Sequence, residues 1–194
     1  MSDRDDDLAA RLTEDARAVT EAFTAEEVAA IRRYQGLDRT YELVAAVLRD
    51  PLAADGLPVE QARLVNTIVR MLDAATRRWV VPEDLIVYRG QRSVMRALGS
   101  GNRVGRTIAL EAFMSTSIHR AVAVDEFAAP PGPGGAALLK VAVPAGTPAL
   151  WLPPVGDPDL AYQGELLLAR DGRIIVKGEL VEAGILVVDC EVLP

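Results

Sequence analysis

This sequence contains very little from which a disulfide, a metal site or a membrane span could be built. Its 194 residues include one cysteine, Cys190, and one histidine, His119. A single cysteine excludes an internal disulfide and any cysteine-rich metal site, and in its apolar run Cys190 is expected to pack as a small hydrophobic residue. His119 lies in a predicted loop, where a solvated side chain is expected. No apolar run approaches the roughly 20 residues that cross a bilayer.

Positive charge is also scarce. Lysine and arginine together number 21 against 28 aspartates and glutamates, which gives a formal net charge of -7. Broad electrostatic binding to nucleic acid or to an anionic membrane is therefore not expected, and a few placed arginines would have to bind any anionic ligand. The acidic, polar N-terminus lacks the basic and apolar regions of a secretory signal. We expect a product made in the cytoplasm, with delivery to another cell by a signal-less route left open.

The bulk composition is that of an ordinary globular protein. Half of the residues are hydrophobic and a quarter are charged. The length is sufficient for one domain with a sizeable core and is short for two. We expect residues 1–22 to form a leader and a first helix, with Asp5, Asp6 and Asp7 solvated, and residues 23–194 to form a single domain.

The chain up to Trp79 has the periodicity of helices. Leucine and alanine recur at helical spacing from Leu8 to Ala16, and Thr24 and Glu27 form a capping box that predicts a second helix ending near Gly36. Further amphipathic helices are predicted over residues 39–48 and 59–77. Their apolar faces indicate packing against a core rather than a cofactor site.

After Trp79 the pattern changes to short strands. Strands are predicted over residues 85–88, 107–110, 113–117, 137–143, 149–152, 165–169, 173–176 and 185–192, with short helices near 91–98 and 121–127. The segment 128–135, AAPPGPGG, predicts a loop. Helices followed by many short strands predict an α+β fold, in which N-terminal helices pack on a mainly antiparallel β-sandwich.

Three segments carry residues suited to chemistry, although each alone is weak evidence. In VYRG, Arg89 ends a predicted strand and can bind a phosphate through two parallel hydrogen bonds, while Gly90 allows a ligand to approach the backbone. In FMSTS, the hydroxyls of residues 115–117 can orient a carboxylate or a ligand hydroxyl. In YQGELLLA, Glu165 lies where a loop meets a rigid strand, with Gln163 two residues earlier.

The order of these segments resembles the R-S-E class of mono-ADP-ribosyltransferases, which includes the actin- and Rho-modifying bacterial exoenzymes and related phage-encoded enzymes. The similarity extends to Thr24-Ala-Glu-Glu27 followed by Tyr34, Tyr41 and Leu48-Arg49, to residues 138–146, and to ELLLARDG at 165–172. It therefore covers most of residues 24–192. The resemblance implies the fold of that family, an ADP-ribosyltransferase-like sandwich.

The resemblance also implies a reaction: the family breaks the nicotinamide–ribose bond of NAD and transfers ADP-ribose to an acceptor, without a metal. Glu165 would bind the ribose 2′-hydroxyl and stabilise the positive charge of the transition state. Ser115 would orient Glu165, and Arg89 would bind the pyrophosphate. The other residues assigned to the NAD site by the resemblance are Gly90, Gln91, Thr116 and Ser117.

The sequence departs from the family pattern in two places. Arg-modifying members have Glu-x-Glu, whereas this chain has Gln163-Gly164-Glu165, and a guanidinium with a pKa above about 12 needs a carboxylate base. Gln163 therefore favours an amide or another neutral acceptor, recognised by Tyr162 and the loop at 153–161. The segment 128–135 also lacks the family's NAD-clamping arginine. Either NAD binding is weaker or another arginine substitutes, the candidates being Arg92, Arg96 and Arg120.

The sequence thus predicts an NAD-dependent mono-ADP-ribosyltransferase whose partners are NAD and an acceptor protein, with no nucleic acid or membrane partner. Two alternatives remain open. One is an NAD glycohydrolase, in which water replaces the acceptor at the same site. The other is a catalytically silent domain of the same fold that serves as a binding or structural module, for instance in a phage particle.

Overall fold

The computed structural model describes residues 3–36 and 38–193. The helices are α1 (Asp3–Glu21), α2 (Ala25–Gln35), α3 (Thr40–Arg49), α4 (Val59–Thr76), α5 (Val94–Leu98) and α6 (Arg120–Asp125). The strands are β1 (Leu85–Gln91), β2 (Thr107–Ala109), β3 (Met114–Ser117), β4 (Ala137–Val143), β5 (Ala149–Trp151), β6 (Glu165–Leu168), β7 (Arg173–Glu182) and β8 (Ile185–Leu193). Two 3₁₀ turns cover Pro51–Ala54 and Pro158–Gln163.

Helix α2 begins at the predicted capping box. The Glu27 backbone N–H donates to Thr24 Oγ1 at 3.2 Å, and the Thr24 backbone N–H donates to Glu27 Oε2 at 2.8 Å. These reciprocal bonds satisfy two donors that have no partner inside the helix. The backbone bond from Thr24 also lowers the pKa of Glu27, which is buried and paired with Arg78. Gly36 ends the helix as predicted, with an extended backbone conformation.

The strands form one eight-stranded sheet in the order β2-β7-β8-β4-β1-β3-β6-β5. All neighbouring strands are antiparallel except β4 and β8, which are parallel. The two halves of the sheet join where β1 meets β3, through the single pair Tyr88 and Ser117. Apolar side chains from both halves, including Val87 and Leu166, form one buried cluster between them, which we call the inner core. This arrangement confirms the predicted α+β fold with a mainly antiparallel sandwich.

A second buried cluster, the outer core, lies between helices α2–α4 and the β3-β6-β5 half of the sheet. It includes Ile31 and Leu72 from the helices and Leu150 and Leu167 from the strands. Strand β6 separates the two cores: Leu166 and Leu168 face the inner core, and Leu167 faces the outer core. Burial on both faces explains why β6 contains three consecutive leucines rather than an alternating pattern. Because alternate residues share a face, Glu165 lies on the same side as Leu167, toward the helices.

Helix α1 packs on the inner core through Leu12 and Ala16. Its attachment includes a hydrogen bond from Trp151 Nε1 to Thr13 Oγ1 at 2.9 Å. The acidic triplet Asp5–Asp7, expected in a leader, is part of this helix. No helix in the described ranges is long and apolar enough to cross a membrane.

Strand β1 is longer than the sequence pattern predicts, and Cys190 is buried. Strand β1 continues past Tyr88 to Gln91, because Arg89 and Gly90 pair with Leu139 and Leu138 of β4. Arg89 is therefore inside the strand rather than at its end. Cys190 is buried in the inner core, as predicted, and burial raises the pKa of its thiol to about 12.

Candidate active site

Glu165 opens β6 and is the centre of a buried polar cluster. Its side chain is enclosed, with the residue 7% exposed. Ser115 Oγ donates to Glu165 Oε1 at 2.5 Å, and Gln35 Nε2 donates to Glu165 Oε2 at 2.9 Å. Ser115 reaches the carboxylate because β3 and β6 are adjacent and Ser117 is the direct cross-strand partner of Glu165, which places Ser115 on the same face.

Opposing influences act on the charge of this carboxylate. Burial raises the pKa of Glu165, because a charged carboxylate loses its hydration, and this effect is the largest. The hydrogen bonds from Ser115 and Gln35 and the positive charge of Arg89 lower it, and the net shift is upward. Burial therefore disfavours the charged form of Glu165, and the two hydrogen bonds and Arg89 offset part of this effect.

Arg89 joins this cluster from β1. Its Nη1 donates to the backbone carbonyl of Ser115 at 2.6 Å, which ties the guanidinium to the strand that orients Glu165. Burial lowers the pKa of Arg89, the like charge of Arg49 lowers it further, and the negative charge of Glu165 raises it. A guanidinium remains a cation in spite of such shifts. Only Nη1 has a partner among the described residues, so its other donors remain available to a ligand.

Arg49, the last residue of α3, supplies a second cation near Arg89. It is exposed and has no carboxylate partner within the part of the chain that the structure describes. Tyr34 lies in the same neighbourhood, in edge-to-face contact with Tyr41 and Phe113 at ring-centroid distances of 6.5 and 6.2 Å. Burial and the nearby carboxylate of Glu165 raise the pKa of Tyr34. Two neighbouring guanidinium groups can together bind an anion with several oxygens.

The hydroxyls of Thr116 and Ser117, which are predicted to lie at the NAD site, form hydrogen bonds within the protein. Both residues are buried. Thr116 Oγ1 donates to the Leu166 carbonyl at 2.7 Å, and Ser117 Oγ donates to the Gln163 carbonyl at 2.6 Å and accepts from the His119 backbone N–H at 2.9 Å. These hydroxyls are used to fix β6 and the loop that precedes it.

The predicted residues at the end of β1 have a packing role. A Cβ atom on Gly90 would overlap the carbonyl oxygen of Ala123 and lie 2.8 Å from the backbone nitrogen of Ala128. The missing side chain thus makes room for α6 and the residues after it. Gln91, the last residue of β1, is half-buried and pairs with Ala137 of β4.

The loop before Glu165 presents a mixed surface. Tyr162 is 49% exposed, and Gln163 Nε2 donates to Glu126 Oε2 at 2.9 Å. Gly164 has a φ of +52°, and a Cβ there would lie 2.8 Å from both His119 and Ile118. The expectation of a solvated His119 is wrong, since this residue is only 5% exposed. It lies under Gly164, with its Nδ1 3.8 Å from Asp5 Oδ2 of α1.

Three arginines are predicted as substitutes for the missing NAD clamp. Arg120 Nη2 is paired with Glu182 Oε2 at 3.0 Å on the surface, and Arg92 and Arg96 are exposed. The structure also brings Arg49 close to Arg89. Sequence reasoning included Arg49 in the helical resemblance but gave it no role. It also missed Gln35, which is 130 positions from Glu165 and had no local signal.

Comparison with known proteins identifies the family. Residues 9–184 match the model of the ADP-ribosyltransferase exoenzyme family. Plx2a, an ADP-ribosyltransferase toxin from Paenibacillus larvae, has a similar fold, with a TM-score of 0.73 at 20% identity, over 97% of this chain and 96% of that chain. The C3 exoenzyme of Clostridium limosum gives 0.73 at 19%, over 97% and 94%. ADP-ribosyltransferase Vis, solved in complex with agmatine, gives 0.70 at 17%, over 100% and 88%.

A sequence search of curated proteins finds no match. The family match nevertheless covers most of the chain, and the chain belongs to the ADP-ribosyltransferase exoenzyme family. It is an NAD-dependent ADP-ribosyltransferase, with NAD as the substrate that supplies ADP-ribose. Within the described side chains of residues 4–36 and 38–193, no group of three or more histidine, cysteine, aspartate and glutamate residues could hold a metal ion.

Proposed function

We propose that this enzyme transfers a single ADP-ribose from NAD to a side chain of an acceptor protein, with Glu165 as the catalytic carboxylate. The observation that carries the proposal is the placement of Glu165. Its carboxylate is buried and accepts a hydrogen bond from Ser115, and Arg89 bonds to the backbone carbonyl of the same serine. In the reaction the bond between nicotinamide and the ribose C1′ breaks, and nicotinamide leaves with the bonding electrons. The acceptor nucleophile forms the new bond to C1′ and loses a proton.

Glu165 would contribute to this reaction through its charge. Positive charge develops on the ribose ring as the bond breaks, so a carboxylate fixed beside the ring stabilises the transition state more than the ground state. Pre-placed groups of this kind are typically worth about 3–4 kcal/mol, or roughly 10²–10³ in rate. Ser115 would keep one carboxylate oxygen in place without neutralising it.

Arg89 and Arg49 would bind the pyrophosphate. The two side chains lie close enough for the charge of Arg49 to affect the pKa of Arg89, and Arg89 has donors without a protein partner in the described residues. Planar guanidinium groups bind phosphate oxygens through paired hydrogen bonds. We propose that Arg49 takes the clamping role that residues 128–135 cannot provide. Gly90 and Gln91 would line the NAD site through the backbone of β1.

Gln163 and Tyr162 would face the acceptor. Gln163 donates one N–H to Glu126, so its amide oxygen is left to accept an N–H from the incoming group. An acceptor with an amide side chain would supply this N–H donor. Position 163 holds glutamine and not a carboxylate, so no base for a guanidinium is present there. Exposed Tyr162 would provide apolar contact with the acceptor protein.

The proposal is tested by incubating the purified protein with labelled NAD, with and without a cell lysate, and mapping labelled proteins by mass spectrometry. Transfer to a defined side chain supports the proposal. Release of nicotinamide and ADP-ribose without labelled protein would identify a glycohydrolase instead. No NAD consumption under either condition would show that the domain is catalytically silent. Lysates of other organisms belong in the panel, because Plx2a, which has a similar fold, is a toxin and delivery to another cell is left open.

A further inference from the structure

Gln35, the last residue of α2, connects two parts of the site that are far apart in sequence. Its Nε2 donates to Glu165 Oε2 at 2.9 Å, and its Oε1 accepts the backbone N–H of Asp157 at 2.8 Å. A Cβ atom on Gly156 would overlap the Gln35 amide oxygen, so a glycine there leaves space for this contact. Both the nitrogen and the oxygen of the Gln35 amide therefore form hydrogen bonds.

The bond from Asp157 decides how the amide is oriented. An amide can be turned by half a rotation, which exchanges its oxygen for its nitrogen. The Asp157 N–H requires an acceptor, so the oxygen of Gln35 must face Asp157 and the NH₂ group must face Glu165. The Asp157 N–H thus fixes the orientation of the Gln35 amide, and this orientation directs an N–H donor to the Glu165 carboxylate.

Helix α2 fixes the 155–157 segment through a second residue. Arg32 Nε donates to the Gly156 carbonyl at 3.1 Å. This segment leads into the turn Pro158–Gln163 and so into the loop that precedes Glu165. Arg32 anchors the same segment as Gln35, but its hydrogen bonds to this segment reach only the backbone carbonyls of Val155 and Gly156, whereas Gln35 also bonds to Glu165.

We propose that Gln35 is a positioning residue, which fixes Oε2 of Glu165 and makes the orientation of this carboxylate depend on the 155–157 segment. This inference rests on the proposed role of Glu165. A buried carboxylate keeps its charge only if donors replace the lost hydration, and here Ser115 serves one oxygen and Gln35 the other. The titratable groups facing Glu165 are Arg89 from β1 and Tyr34 from α2.

Two substitutions separate the donor from the loop anchor. Gln35→Met keeps the approximate length and removes both hydrogen bonds. Gln35→Glu keeps an acceptor for Asp157 but removes the donor and places a second carboxylate beside Glu165. Both substitutions should raise the pKa of Glu165 and so shift the acid limb of the NAD-cleavage pH profile to higher pH. The shift should be larger for Gln35→Glu, because a second negative charge adds to the loss of the donor. At neutral pH kcat should fall about tenfold or more, with little change in KM.

The control is Arg32→Met, which loosens the same segment without touching Glu165. It should shift the acid limb less than Gln35→Met does, because the donor from Gln35 to Glu165 is still present. A shift in Arg32→Met equal to that in Gln35→Met would overturn the inference, because the effect would then come from the loop alone. Unchanged pH profiles in both Gln35 variants would also overturn it.

A second readout is independent of turnover. The side-chain carboxyl carbon of Glu165 can be titrated by ¹³C NMR, with the signal assigned from its loss in Glu165→Gln. An upward movement of the midpoint in Gln35→Met supports the positioning role even if the wild-type protein cleaves no NAD, in which case the proposed function alone fails. An unchanged midpoint contradicts the positioning role whatever the activity.

Discussion

At the scale of single residues, Glu165 is held in a state that costs stability. Its carboxylate is removed from water, and the donors Ser115 and Gln35 with the cation Arg89 compensate only part of that cost, since its pKa is raised overall. Residues placed for catalysis often carry such a cost, because the transition state, rather than the folded protein alone, benefits from the charge.

The cost predicts a dependence of stability on pH. Because folding raises the pKa of Glu165, the buried charge destabilises the folded state above that raised value, and the effect vanishes below about pH 4, where glutamate is protonated in both states. Glu165→Gln should therefore raise the Tm at neutral pH by about 2 °C or more, and this gain should disappear in acid. Thermal unfolding followed by circular dichroism measures it. Glu111→Gln, at an exposed position, is the control and should change the Tm little.

Arg89 provides a prediction about substrate affinity. Arg89→Lys keeps the positive charge but replaces a planar group with several donors by a single ammonium. NAD affinity should fall about tenfold or more, measured by isothermal titration calorimetry. Arg63→Lys, an exposed pair with Glu60 on α4, is the matched control and should bind NAD like the wild type. Equal NAD affinity in Arg89→Lys and wild type would remove Arg89 from the binding site.

At the scale of elements, the loop between β5 and β6 separates donor chemistry from acceptor choice. Glu165 belongs to the rigid strand, whereas Gln163 belongs to the turn before it and bonds to Glu126 near the end of α6. Gln163→Glu places a carboxylate at the acceptor position and next to Glu126. We expect NAD hydrolysis to be largely retained, transfer to the natural acceptor to fall, and activity towards agmatine to appear. ADP-ribose mapped to arginine in the wild-type product would show that Gln163 does not determine the acceptor.

The contact between β1 and α6 predicts a stability effect. Gly90→Ala would introduce a methyl group where the backbone of Ala123 and Ala128 already lies. The helix would have to move, at a cost of about 1–3 kcal/mol, which chemical denaturation can measure. Gly56 has no atom within 4 Å of a Cβ position, so Gly56→Ala should be close to neutral. If both alanines cost the same, packing of α6 is not the reason for Gly90.

The accuracy of sequence reasoning also differed between elements. The helices and β6 were predictable because their signals are local: the capping box at Thr24, the amphipathic stripes, and the apolar run after Glu165. The extension of β1 through Gly90 depends on pairing with β4, which a local pattern does not contain. The burial of His119 depends on α1 and Gly164, and the contact of Gln35 with Glu165 joins residues from α2 and β6. Tertiary packing determines these features.

At the scale of the whole molecule, the site lies near the pairing of β1 with β3, next to the strand β6 that separates the inner core from the outer core. Strand β6 is packed against the inner core on one face and the outer core on the other, so Glu165 starts from a strand that can move little. Strands β1 and β3 join through the pair Tyr88 and Ser117, which brings Arg89 to the carbonyl of Ser115. The helical part then contributes Gln35, Tyr34 and Arg49 from the other side. Neither part alone contains the site.

The central claim is that Glu165 supplies the charge for cleavage of NAD, and steady-state nicotinamide release in wild type and Glu165→Gln tests it most directly. This substitution keeps the size and shape of the side chain and removes its charge. We expect kcat to fall by about 10² or more, with NAD affinity by calorimetry nearly unchanged and the fold intact by circular dichroism. Turnover in the variant equal to that of the wild type would contradict the account.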